Sequence, residues 1–268
     1  MPSIVPYLLV IALYLLITFD YWRHARQAPT AARIRLHSVG IALALMLHGW
    51  LLYHTLLDGG LNLGFANALS AVAWLTVLIY WLTDVRHTMN SLQAFVLPVA
   101  AILVLIQYCL PETHLLPYAG QPLFMTHLVI ALLAYSLFTF AALHALLMAV
   151  AERSLHQKST LIKLPDFPPL MAMETLLFRV IAIGFLLLTL TLLSGILFSE
   201  ALFQQPMKLN HKNIFTLVSW LIFGGLLVGR ASYGWRGRVA TRWTLTGFVI
   251  LLLAYAGSKF VLEIVLGR

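Results

Sequence analysis

The stretch from Leu123 to Val150, LFMTHLVIALLAYSLFTFAALHALLMAV, constrains this chain most. It contains no Asp, Glu, Lys or Arg. It is also long enough to cross a bilayer, since about 20 helical residues at 1.5 Å each span roughly 30 Å of hydrocarbon. Yet it holds two histidines, His127 about one turn inside one end and His144 near the other. An ionisable side chain on a spanning helix is costly unless it has a partner, so each one raises a functional question.

Similar apolar runs recur along the chain, which is 61% hydrophobic and only 10% charged. Soluble domains carry about a quarter charged residues, so the composition belongs to an integral membrane protein. Runs of this length are helices and not barrel strands. The expected fold is all-α: a polytopic membrane protein with eight transmembrane helices forming one integral-membrane domain over 1–268. The spans read Ile4–Trp22, Leu36–Leu57, Phe65–Thr83, Leu92–Leu110, Leu123–Val150, Glu174–Phe198, His211–Arg230 and Arg242–Val265. Pro98 predicts a kink in the fourth. No Lys or Arg precedes the first span and no small-residue cleavage site follows it, so it reads as a retained anchor. No internal repeat supports an inverted-repeat transporter.

The 17 Lys and Arg orient the spans. Twelve fall in alternate loops or adjoining helix ends: Arg23, Arg26, Arg33, Arg35, Arg86, Arg153, Lys158, Lys163, Arg230, Arg236, Arg238 and Arg242. Three fall on the other side, Lys208, Lys212 and Arg268, while Arg179 and Lys259 lie within spans. The positive-inside rule then puts the basic loops in the cytoplasm and both termini outside. The net charge of +8 reads as topology and contact with lipid headgroups of the bilayer, not as nucleic-acid binding. The one cysteine, Cys109, supports no internal disulfide and reads as a small residue at a helix end. Without a CxxCH there is no covalent c-type haem attachment.

That topology sets depth. His54, His127 and His211 are expected near the outer surface on three different helices. Imidazoles at equal depth on two helices can hold a haem iron from both sides. A zinc or copper site would need more ligands, and only Glu112 and His114 lie near enough in sequence to complete one. His48 is the deepest histidine, suited to proton relay, a second buried cofactor, or pairing with a residue such as Tyr80. Each also has a bland reading as a cross-helix hydrogen-bonding residue. His144 is expected to snorkel. His24, His37, His87 and His156 belong to basic loops. Arg179 is expected to pair with Glu174 or snorkel, and Lys259 with Glu263 at i,i+4. Gly225-Leu226-Leu227-Val228-Gly229 is a GxxxG packing face. Phe215, Trp220 and Trp50 are candidate porphyrin-lining rings or plain packing residues. No catalytic triad, P-loop or HExxH motif is present, so no enzyme activity is expected.

The C-terminal block LNHKNIFTLVSWLIF (Leu209–Phe223), then Gly234-Trp235-Arg236-Gly237-Arg238, then GFVILLLAYAGSKFVLE (Gly247–Glu263), resembles the cytochrome c assembly protein family of CcsA- and CcmC-like haem handlers. Pro168-Pro169-Leu170-Met171 and the His127 helix with Ala134-Tyr135 fit its small inner-membrane YpjD-type branch. The resemblance implies a multi-pass protein of the bacterial inner membrane. It implies haem, b-type and non-covalent, held at the outer face, with apocytochrome c or another membrane protein as partner. Family members hold haem between two histidines flanking a tryptophan-rich WGxxWxWD segment. His127 matches the first of these. Leu209–Asn213 stands where the tryptophan-rich segment would end, and Val228 where a buried histidine usually stands. His211 completes the candidate haem set on depth alone; His54 at the outer surface and the deeper His48 are further cofactor-binding candidates. Two other functions stay open: a permease component or auxiliary subunit for a small solute or ion, and a non-haem scaffold binding a partner protein.

Overall fold

A computed structural model describes residues 3–24, 27, 30–57, 60–87, 93–110, 115–116, 120–156, 169–203 and 211–257; the side chains at 84–87, 154–156, 198–203 and 256–257 fall outside that description. Its helices are α1 (Ile4–Arg23), α2 (Ala31–Leu57), α3 (Phe65–His87), α4 (Gln93–Cys109), α5 (Pro122–His156), α6 (Leu170–Phe203), α7 (His211–Tyr233) and α8 (Gly237–Leu252). A π-helical turn, Leu253–Gly257, follows α8. Seven of these helices are long and apolar enough to cross a membrane, and α4 is a shorter apolar helix of 17 residues. The protein is thus an all-helical, multi-pass membrane protein. Pro98 sits inside α4 without ending it.

The chain packs as two compact units. The first comprises Met1–His114 and Val150–Ala172; the second comprises Leu115–Ala149 and Met173–Arg268. In the first, α1 packs on α2, α2 on α3, α3 on α4 and α4 back on α1, a closed four-helix ring. The sequence of α1 explains its place there. Tyr7, Val10, Tyr14, Ile17 and Tyr21 are its buried residues, spaced alternately three and four apart. That spacing is the seam of a left-handed bundle. Trp74 of α3 lies against Gly49 of α2 and donates its indole N–H to the Leu45 carbonyl at 2.8 Å.

In the second unit the Phe138 ring of α5 stacks on Phe223 of α7 at 3.9 Å, and Gly184 of α6 leaves room for the same ring. Ser219 of α7 donates to the Gly247 carbonyl of α8 at 2.9 Å. The GxxxG glycines face α8 and its preceding turn. A Cβ on Gly225 would press on Trp243, and one on Gly229 would overlap the Trp235 ring. Outward, α6 presents Ile183, Leu186, Leu190, Leu193 and Leu197, an exposed apolar stripe suited to lipid.

Several spans run past their expected ends. α2 begins five residues before Leu36, α5 continues to His156, and α6 extends from Leu170 to Phe203. Most of all, the basic loop expected over Ala231–Thr241 shrinks to Gly234, Trp235 and Arg236, because α7 reaches Tyr233 and α8 starts at Gly237. Gly234 and Gly237 have φ of 65° and 52°, the left-handed region in which glycine is unstrained. A buried carboxylate anchors this turn. Glu174 pairs with Arg230 at 2.7 Å and Arg236 at 3.7 Å, and accepts the Gly237 backbone N–H at 3.4 Å. Arg179, expected to pair with Glu174 or snorkel, is exposed. The Lys259–Glu263 pair, the end of the last span, Glu112 and His114 lie outside the described residues.

Candidate functional site

His127 lies on the second turn of α5, partly buried. Its Nδ1 is 2.7 Å from the Ser194 hydroxyl of α6. Ser194 settles the direction of that bond. Its single proton goes back to its own helix, to the Leu190 carbonyl at 2.7 Å, with Thr191 at 3.1 Å. The hydroxyl oxygen must therefore accept, and His127 Nδ1–H must donate. The neutral ring then carries its lone pair on Nε2, which is how a metal-binding histidine is oriented by a neighbour. Gly195 is beside the ring: a Cβ there would be 3.6 Å from His127 Cε1.

Two further elements, α7 and the π-helical turn, converge on this corner of the second unit. Lys212 of α7 is near enough for its charge to act on His127. Its ammonium is also 5.5 Å from the centre of the Tyr255 ring. Tyr255 lies 5.6 Å from the Tyr135 ring, and Tyr135 hydrogen-bonds Thr216. His211 opens α7 and is exposed. Trp220 donates to Thr189 at 2.8 Å and stacks on Phe185, a packing arrangement. Phe215 is partly exposed.

The other named histidines belong to the first unit. His54 is exposed near the end of α2, with Trp50 and Tyr53 edge-on to its ring at 4.6 and 5.5 Å. His48 is fully buried, with Nδ1 3.1 Å from the Tyr14 hydroxyl and Nε2 2.9 Å from the Ser70 hydroxyl. Its aromatic partner is Tyr14 and not Tyr80. Both ring nitrogens are engaged, so a ligand role for His48 would require breaking one of these bonds.

Two expectations are corrected. His144 does not snorkel: it is fully buried in the second unit, with Nε2 2.9 Å from the Met173 carbonyl. His37 is not a loop residue, and neither are His87 and His156, the last residues of α3 and α5. His37 is buried within α2, with Nε2 2.7 Å from Asp20, whose carboxylate also takes His24 at 3.1 Å and Arg33 at 3.6 Å. Composition hides this cluster, although Asp20 and His24 stand at i,i+4. Among the described residues no three of His, Cys, Asp and Glu gather to hold a bare metal ion. A single well-oriented imidazole is instead a donor suited to an iron that brings its own equatorial ligands, as haem does.

Comparison with known proteins decides the family. The model of the cytochrome C assembly protein family matches residues 36–266. The chain belongs to the cytochrome c assembly protein family. Among its relatives, the inner membrane protein YpjD of Escherichia coli strain K12 is 30% identical over 234 residues, covering 86% of this chain and 88% of that protein. An uncharacterized 28.8 kDa protein of Azospirillum brasilense is 31% identical over 143 residues, covering 53% and 52%. The cytochrome c biogenesis protein CcsA of Prochlorococcus marinus is 24% identical over 219 residues, covering 72% and 71%. This member of the cytochrome c assembly family is a multi-pass inner-membrane protein. Both His127 and the Gly234–Arg238 turn fall inside the family match. Val228 is exposed.

Proposed function

We propose that this protein handles haem in cytochrome c assembly and holds it non-covalently through His127 near the outer membrane surface. The hydrogen bond from His127 Nδ1 to Ser194 supports this reading above all, because a proton held on Nδ1 puts the ring's lone pair on Nε2, the form in which an imidazole can bind iron. When bound, haem would supply a redox-active iron that His127 would hold. The chain's own residues do the rest. Ser194 holds the ring in one tautomer and orientation. Lys212 gives the same corner a positive charge that suits a propionate carboxylate. His211 is the candidate second ligand. The protein would bind, orient and release haem without making or breaking covalent bonds, passing it to apocytochrome c or another membrane protein.

The test is the absorption spectrum of protein purified in detergent from haem-supplied cells, oxidised and reduced. The expected result is a Soret band with sharp reduced bands that is lost in His127→Ala. Colourless wild-type protein after haem supply, or a spectrum unchanged in His127→Ala, would overturn the proposal. His211→Ala is expected to keep the pigment and change its coordination.

A further inference from the structure

The first unit holds a second buried histidine whose surroundings differ in kind from those of the others. His144 faces a carbonyl, which only accepts, and His127 faces a hydroxyl already committed as a donor. Each environment selects one tautomer. His48 lies between two hydroxyls, Tyr14 of α1 and Ser70 of α3. Neither hydroxyl has another hydrogen bond among the described residues, so each can turn to donate or to accept. With the proton on Nδ1, His48 donates to Tyr14 and accepts from Ser70. With the proton on Nε2, the roles reverse. With both nitrogens protonated, it donates to both oxygens. All three states are hydrogen-bonded without moving a heavy atom. No carboxylate, lysine or arginine among the described residues bonds any of the three.

The polar surroundings continue toward one membrane face. Asn67 lies one turn from Ser70 on the same side of α3. Its Oδ1 accepts from Gln107 Nε2 of α4 at 2.9 Å, and Gln107 also donates to Thr55 of α2 at 3.1 Å. Thr55, Asn67 and Gln107 each lie two residues inside the end of their helix, at Leu57, Phe65 and Cys109. Gln107 Oε1 is buried and takes no hydrogen bond among the described residues. Such an acceptor suits a water. Toward the opposite face, Tyr14 is seven residues from Tyr21, which donates to Gln93 at 3.0 Å. That gap is about 10 Å of helix rise.

We propose that His48 is a reversible proton-binding site in the middle of the first unit, served from the face where Thr55, Asn67 and Gln107 meet. In uptake, a proton from that face reaches the Ser70 oxygen and Ser70 passes its own proton to Nε2. The ring gains one positive charge and its Nδ1–H rests on Tyr14. Release runs the same path backwards. One proton is taken up or returned, and no electron moves. This site is independent of haem at His127.

The experiment uses the full chain in lipid nanodiscs with 15N-labelled histidine, reading ring-nitrogen shifts by NMR. The His48 signal is assigned by its loss in His48→Gln. We expect exchange between both tautomers near neutral pH and a rising imidazolium fraction as pH falls. We expect D2O exchange of the ring proton to slow at least about tenfold in Gln107→Leu and in Ser70→Ala. Ser70→Thr, which keeps a hydroxyl, should restore it. If Gln107→Leu fails to fold, Thr55→Val reads the same path. A single fixed tautomer at every pH would overturn the proposal. So would a ring proton protected as long as the core amides, or exchange unchanged by these variants.

Discussion

A hydroxyl at position 194 governs what the imidazole at 127 can offer. Ser194→Ala removes the acceptor for Nδ1–H, and loss of such an orienting partner typically weakens metal binding about 10–100-fold. Haem titration of purified protein should show a weakening of that order, while Ser194→Thr keeps the affinity. Unchanged affinity in Ser194→Ala would separate Ser194 from the site. A second residue-scale prediction concerns Gly229, whose missing Cβ is where the Trp235 ring rests. Gly229→Ala should lower stability by about 1–3 kcal/mol through overpacking, read as a lower thermal midpoint in detergent. His127 was legible in the sequence because a titratable group in an apolar run stands out. Ser194 was not: an isolated serine on a helix more often bonds its own backbone, and its link to His127 spans 67 positions. Tyr80 is only one of the rings the sequence offers His48; Tyr7, Tyr14 and Tyr21 at intervals of seven mark Tyr14 as inward-facing, and it is the partner.

At the scale of elements, the α7–α8 turn is the most constrained join in the described chain. Its two left-handed glycines set the reversal, and Glu174 ties Arg230, Arg236 and the Gly237 amide to the start of α6. Glu174 is buried, whereas Arg230 and Arg236 are partly solvated. Breaking one partner of a fully buried pair costs about 3–5 kcal/mol, and solvent reaching the arginines reduces this. Glu174→Ala is therefore expected to cost about 1–3 kcal/mol in unfolding experiments. Adding Arg230→Ala should cost little more. Fully additive losses would show that the two side chains do not act as a pair. Hydropathy located the spans but trimmed the ends of several, since arginines at 33, 35 and 238 look like loop residues while remaining helical. Long basic side chains reach the headgroups from a helix that has not yet ended.

For the whole molecule, the spans were legible because each carries its own hydropathy. The division into two units was not, because it depends on which helix faces meet, and hydropathy does not fix rotation about the axis. Orientation rests on the lysine and arginine count, and the chain contains its own probe. Cys109, the single thiol, is exposed at the end of α4 that this count assigns to the outside. A membrane-impermeant maleimide should label it in intact spheroplasts as fully as in broken membranes. Labelling only after lysis would invert the topology and move His127 to the cytoplasmic side.

The central claim is that the His127 imidazole is an iron ligand, and chemical rescue of its removal tests this most directly. In purified His127→Gly, haem binding should fall to background and free imidazole should restore the reduced bands by entering the space left by the ring. Full pigment in His127→Gly without imidazole would contradict the account.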